Sequence, residues 1–268
     1  MARILYYYQT LTSVGSLIPH CDATDVLLSA FHFGYTSEGR PYIHLNNTDP
    51  EDPSYDSLWS QLSKLDARIG IMIGGAGGAF QTLFSNFDIF YPLLTHFLKQ
   101  HADLIQGINL DIEEPTHLIH IQHLVMQLRH DFSSMELSLA PVLSELLNPT
   151  EPGAFSGFAY QDLFDTLGDH FAYIAVQMYG GSFTAANYKD LVAVFTLDTS
   201  MLVPGMESSD YPTPYDFQHA LTELAAMKQC TGPLFGGAFV WEFCDAPPQA
   251  RVNPSRWATL VAHTLASN

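Results

Sequence analysis

The sequence predicts a (β/α)8 barrel that occupies the whole chain, residues 1–268, as one domain, and three observations predict it. Short β-rich runs recur eight times, with helical periodicity or loop composition between them. Each run is fairly apolar on both faces, as the strands of a helix-covered parallel sheet must be. A length of 268 residues, 47% hydrophobic and 14% charged, suits one large barrel with a substantial core. An open doubly wound sheet is the alternative, but neither GxGxxG nor GxxxxGK(S/T) occurs to support it.

The strands are read, in order, at residues 4–10, 26–34, 68–75, 107–113, 136–142, 171–180, 201–207 and 237–243. Helical periodicity falls at 55–65, 87–101, 116–129, 160–167, 215–229 and 254–266. The links after the first and seventh strands are the least regular. Residues 46–54, rich in Asp, Asn and Pro, form a surface loop. On the first strand, Tyr6 and Tyr8 share one face and Tyr7 takes the other. Either set could line a groove or pack against helices. The run Gly74-Gly75-Ala76-Gly77-Gly78 follows the third strand and reads either as a flexible turn or as close backbone approach to a ligand.

Composition excludes several function classes. With 28 acidic against 10 basic residues, the formal charge is −18. Such a surface repels phosphate backbones and anionic lipid, so neither nucleic acid nor membrane is an expected partner. No apolar run reaches the length of a membrane span. Cys21, Cys230 and Cys244 form neither a disulfide framework nor a metal site, and no metal or cofactor is expected. Asn46-Asn47-Thr48 is a formal glycosylation sequon, which alone does not argue secretion. The sequence enters a strand almost at once, so no signal peptide is expected. The chain is then either intracellular or a mature form, and is expected to be a monomer.

Residues 107–113, Gly-Ile-Asn-Leu-Asp-Ile-Glu, carry the strongest functional signal. On a strand Asn109, Asp111 and Glu113 share one face, with Ile108, Leu110 and Ile112 on the other. Three polar groups on one side of an apolar strand are costly to bury without partners, so a row ending in two carboxyls reads as the floor of an acid/base site. A half-exposed antiparallel strand is the bland alternative. In a barrel the chemistry sits at the C-terminal strand ends. There lie Glu113, then Gln177 and Tyr179 on the sixth strand, and Trp241 on the eighth. Other features stay ordinary: His117, His120 and His123 lack a carboxylate or Cys partner at ligand spacing, and Asp162 and Asp165 suit a solvated helix face.

Together these strand ends resemble the family 18 glycoside hydrolases, which include chitinases and endo-β-N-acetylglucosaminidases. The family's DxxDxDxE signature is similar to Gln106-Gly107-Ile108-Asn109-Leu110-Asp111-Ile112-Glu113, with Gln106 and Asn109 in place of its first two aspartates. Met72-Ile73-Gly74-Gly75 resembles its SxGG segment, Val176-Gln177-Met178-Tyr179 its MxY segment and Gly237-Ala238-Phe239-Val240-Trp241 its GGVMxW segment. Ala30-Phe31 and Ala140-Pro141 also match.

The resemblance implies retaining hydrolysis in which the substrate's 2-acetamido group is the nucleophile, an exception to the two-carboxylate scheme. It makes Glu113 the general acid and then base, Asp111 the acceptor of the acetamido N–H, and Tyr179 the donor to the acetamido carbonyl. Trp241 would floor the cleavage subsite. Gln177, Met178, Asn109, Phe31, Gly74, Gly75 and Tyr6 complete the expected substrate contacts. Residues two apart on a strand have Cα atoms about 6.5 Å apart, close enough for Asp111 to hydrogen-bond Glu113. An acid that must hold its proton near neutral pH needs such a neighbour. Asn109 cannot titrate, and its amide can donate to Asp111. Residues 208–236, between the last two strands, leave no room for an α+β insertion beside their helix, so an open groove and endo-type attack are expected. The expected substrate is β-1,4-linked N-acetylglucosamine, in chitin or chito-oligosaccharides. The alternatives are an endo-β-N-acetylglucosaminidase on N-glycan cores and a non-catalytic lectin. Glu113 argues against the lectin.

Overall fold

The computed structural model describes residues 2–11 and 21–267. Most of the irregular link after the first strand lies outside the described residues. In chain order, β1 (Arg3–Tyr8), β2 (Asp25–Tyr35) and β3 (Pro41–Leu45) precede α1 (Asp56–Leu62), β4 (Arg68–Gly74), α2 (Ala79–Ser85), α3 (Phe87–Gln100) and β5 (Ile105–Asp111). Next come α4 (Leu118–Asp131), β6 (Glu136–Leu139), α5 (Leu143–Leu147), α6 (Tyr160–Leu167) and β7 (Tyr173–Gln177). The chain ends with α7 (Ala185–Val194), β8 (Leu202–Glu207), α8 (Pro214–Thr231), β9 (Gly237–Trp241) and α9 (Arg256–Ala266).

Eight strands run parallel in the order β1, β2, β4, β5, β6, β7, β8, β9, and β9 pairs with β1 to close the barrel. The fold is the expected TIM barrel in a single compact domain. β3 is additional: it pairs antiparallel with the extended end of β2 and belongs to no βα repeat. Short helices α2 and α5 were also not expected, since seven and five residues are too few to establish a helical period. In α7 only Tyr188 and Leu191 are buried, a stripe too thin to read from sequence. The link after β8, among the least regular in the sequence, holds the 18-residue α8, which bears out the helix expected at 215–229. Its start is fixed locally: the Thr213 side chain accepts from the Asp216 N–H, the Asp216 carboxyl accepts from the Thr213 N–H, and Pro214 fills the first turn.

Strand alternation divides the apolar residues into two layers. Leu5, Tyr7, Leu27, Ala30, Met72, Ala140, Ala175, Val203 and Phe239 fill the barrel interior, while a larger cluster packs between strands and helices. This division corrects three expected substrate contacts. Tyr6 faces α9, where its hydroxyl donates to the Pro254 carbonyl and accepts from the Ala258 N–H, each at 3.0 Å. Phe31 also points outward, its ring 5.2 Å from that of Phe97. A register shift between Leu28 and Phe31 gives the interior position to Ala30 instead. Met178 lies in the outer layer, because Gln177 and Tyr179 on either side of it face inward.

A charged network closes the N-terminal end of the barrel. Arg3 contacts Asp25 at 2.6 Å and Glu136 at 2.8 Å, Arg68 contacts Asp25 at 2.8 Å, and the Arg3 guanidinium lies 4.3 Å from the Tyr173 ring centre. Asp25 is 4% exposed, and these partners offset the cost of burying it.

Candidate active site

The opposite end of the barrel collects the polar residues of β5. The strand ends at Asp111, and Glu113 follows two residues later, half-buried at the mouth. Gly74 and Gly75 bring the end of β4 close against this point. At φ 103° Gly74 has no room for a side chain, since a Cβ would collide with the Asp111 carbonyl. The Gly75 N–H donates to that carbonyl at 2.8 Å, and a Cβ on Gly75 would lie 3.4 Å from the Asp111 carboxyl. The close approach at Gly74 is therefore to a neighbouring strand.

Asn109 is fully buried beneath the carboxyls, which corrects its expected contact with substrate. Its carbonyl oxygen accepts from the Tyr7 hydroxyl at 3.0 Å, and its amide donates to Ser138 Oγ at 2.9 Å. The amide therefore does not donate to Asp111. Parallel pairing sets Asn109 opposite Ser138 across β5 and β6. Tyr7 and Ser138 are the site residues that sequence reasoning missed. The parity of β1 was open, whereas a small polar Ser138 on an interior face was a usable signal.

The partner of Asp111 is Gln177. Its amide nitrogen lies 2.9 Å from Asp111 Oδ1, 3.1 Å from Glu113 Oε1 and 2.8 Å from the Ala140 carbonyl. The link between the carboxyls thus runs through a neutral amide rather than directly between them. Burial pushes the Asp111 carboxyl well above its usual range, and the Glu113 charge pushes it further, while the Gln177 hydrogen bond pulls it down. Asp111 therefore gives up its proton at a higher pH than an exposed aspartate.

Aromatic residues wall the mouth. Tyr7 packs against Phe239 at 5.1 Å and Trp241 at 5.5 Å, and Tyr179 stands edge-on to Phe239 at 6.2 Å. Tyr179 and Trp241 are half-buried, so each keeps surface for a ligand. Burial, and then the Asp111 and Glu113 charges, push the Tyr179 hydroxyl well up, which keeps it a hydrogen-bond donor. Glu114, next to the expected acid, turns away. Its carboxyl accepts from the Phe80 and Gln81 N–H groups at the start of α2 and so pins the segment that carries Glu113. The spaced histidines pack on rings, His120 4.9 Å from Phe84 and His123 4.8 Å from Phe87.

A buried carboxyl, a half-buried carboxyl, a tyrosine donor and an indole at the C-terminal mouth of a (β/α)8 barrel define the class to which comparison leads. The chain is a structural homologue, over its whole length, of family 18 chitinases and endo-β-N-acetylglucosaminidases. It superposes on a fungal family 18 endo-β-N-acetylglucosaminidase with a TM-score of 0.84 and 25% identity, covering 99% of each chain. A chitinase from Aspergillus fumigatus matches with a TM-score of 0.80 and 26% identity, over 99% of this chain and 100% of that one. A chitinase from Pseudoalteromonas aurantia shares the fold at a TM-score of 0.69 and 15% identity, over 98% of this chain and 100% of that one. No protein-family model matches the sequence, and neither does any curated protein.

Proposed function

We propose that the chain hydrolyses the β-1,4 bond between N-acetylglucosamine residues of chitin or chito-oligosaccharides, with retention and with the substrate's acetamido group as nucleophile. The observation that carries this reading is the Gln177 amide joining Asp111 to Glu113 at a mouth walled by Tyr179 and Trp241. Tyr179 donates to the acetamido carbonyl, and Asp111 accepts the acetamido N–H. That N–H favours the ionised form of Asp111, so the proton held by the carboxyl pair passes to Glu113 as substrate binds. Glu113 then protonates the glycosidic oxygen. As the C1–O bond breaks toward that oxygen, the acetamido oxygen bonds to C1 and closes an oxazolinium ring stabilised by Asp111. Glu113 next takes a proton from water, whose oxygen attacks C1 and reopens the ring. The indole of Trp241 supplies the apolar floor under the sugar. The α8 link between β8 and β9 contains no further sheet, and the groove it leaves open suits internal cleavage of a chain.

The test is the acetamido requirement. Chitohexaose should be cleaved, while its fully deacetylated counterpart and cellohexaose should not, because both lack the internal nucleophile. A thiazoline analogue of the ring intermediate should inhibit competitively. Efficient cleavage of cellohexaose would refute substrate assistance. A second reading, cleavage of the same bond in the chitobiose core of N-glycans, draws support from the fungal relative at a TM-score of 0.84. Release of a high-mannose glycan in preference to cleavage of chitohexaose would select it.

A further inference from the structure

The last residue of β8, Glu207, has no part in the mechanism above. Alternation fixes the side it faces. Met206 belongs to the outer layer, whereas a Cβ on Gly205 would collide with the Phe239 ring that fills the barrel interior. Glu207, two residues beyond Gly205, therefore turns into the mouth, where it is half-buried. It pairs with Trp241 across β8 and β9. Burial does most to raise the Tyr179 hydroxyl, the Asp111 and Glu113 charges come next, and the Glu207 charge adds to them. Glu207 and Trp241 line one cleft of about 360 Å³, so a ligand resting on the indole reaches this carboxyl.

The other carboxyls around the ends of β8 and β9 are already engaged. Asp210 accepts from the Gly181 N–H at 3.2 Å, Glu242 from the Gln9 and Thr10 N–H groups, and Asp245 pairs with Arg251 at 2.7 Å. Among the described residues, Glu207 forms no ion pair and caps no helix. A half-buried carboxylate without a donor is costly, and a ligand hydroxyl offsets that cost.

The proposed reaction fixes which hydroxyl arrives there. Asp111 holds the N–H at C2 and Glu113 meets the leaving oxygen at C1, both at the β5 side. In a pyranose ring C5, which bears the C6 hydroxymethyl group, lies across from C2. β9 is halfway round the barrel from β5, and β8 stands beside it. The hydroxymethyl group is thus directed across the mouth to Glu207.

We infer that Glu207 accepts a hydrogen bond from the C6 hydroxyl of the N-acetylglucosamine at the cleavage subsite and makes that hydroxyl a requirement for efficient cleavage. The inference rests on the hydrolase reading above and deepens it to one group of the substrate.

The test uses 4-nitrophenyl β-chitobioside, whose aryl bond sets its second sugar at the cleavage subsite, beside the analogue that is 6-deoxy at that sugar. Wild type should cleave the analogue with kcat/KM about tenfold lower, because a charge-assisted hydrogen bond is lost and the carboxylate keeps no donor. In Glu207→Ala the parent should fall by a similar factor, and the two substrates should then be cleaved equally. A merely structural role would lower both and leave their ratio intact. Glu207→Gln keeps the side-chain shape and serves if the alanine variant does not fold. Its preference should shrink to about threefold, since a neutral acceptor makes the weaker bond. Equal cleavage of both substrates by wild type, or a preference unchanged in a folded variant, overturns the role of Glu207 alone. No release of nitrophenol from the parent, with chitohexaose also left intact, overturns the hydrolase reading and this role with it.

Discussion

Asp111 and Glu113 lie two residues apart, but one is buried and the other half-buried, and burial decides how Asp111 titrates. Unfolded, an aspartate ionises near about pH 3.9. Folded, Asp111 holds its proton to a higher pH, chiefly because of burial. Between those two values the unfolded state binds fewer protons, so this group makes stability fall as pH rises. Asp111→Asn removes the effect. Its melting temperature relative to wild type should climb from about pH 4 and level off above the folded titration. A difference constant from pH 4 to 8 would contradict the burial argument. Asn109→Asp sets a second acid beneath Asp111, in contact with Tyr7 and Ser138. At least one limb of the kcat/KM profile should move, with an apparent pKa rising, and superimposable profiles would show that the residue does not couple to the acid. Alternation alone put Asn109, Asp111 and Glu113 on one face. The partner of Asn109 was not legible in the sequence, because Ser138 is reached only through the β5–β6 register.

Secondary structure near the site depends on contacts from distant parts of the chain. α2, with Gly78 as its N-cap, has no local side-chain cap, and the Glu114 carboxyl fills that role from the end of the adjacent strand β5. Glu114→Ala should lower stability by about 1–2 kcal/mol in urea denaturation, with a reduced kcat as the segment bearing Glu113 loosens. A variant as stable and active as wild type would remove Glu114 from this role. The same dependence explains what the sequence hid. α8 carries its start signal in its own residues and was legible at 215–229, whereas α2 is seven residues long and is capped from elsewhere. β2 shows a further limit: its register shift moves Phe31 out and Ala30 in, which a strict two-residue period cannot anticipate.

Over the whole molecule, eight apolar runs in alternation with helices were enough to read the barrel, because burial on both faces leaves a closed parallel sheet few alternatives. The sequence did not show how the barrel is sealed at its N-terminal end. Arg3, 14% exposed, joins strands far apart in sequence through Asp25 and Glu136. Arg3→Ala should cost about 3 kcal/mol, since it leaves buried Asp25 with less compensation. Urea midpoints unchanged within error would show that the network is dispensable. The proposed function puts the chemistry at the opposite end of the barrel, with Glu113 as the group on which turnover would depend. The most direct measurement compares wild type with Glu113→Gln on chitohexaose, following turnover by product release and affinity by calorimetry. The account predicts that kcat falls by about a hundredfold or more while binding persists, because only proton transfer is lost. Comparable turnover in the variant would contradict it.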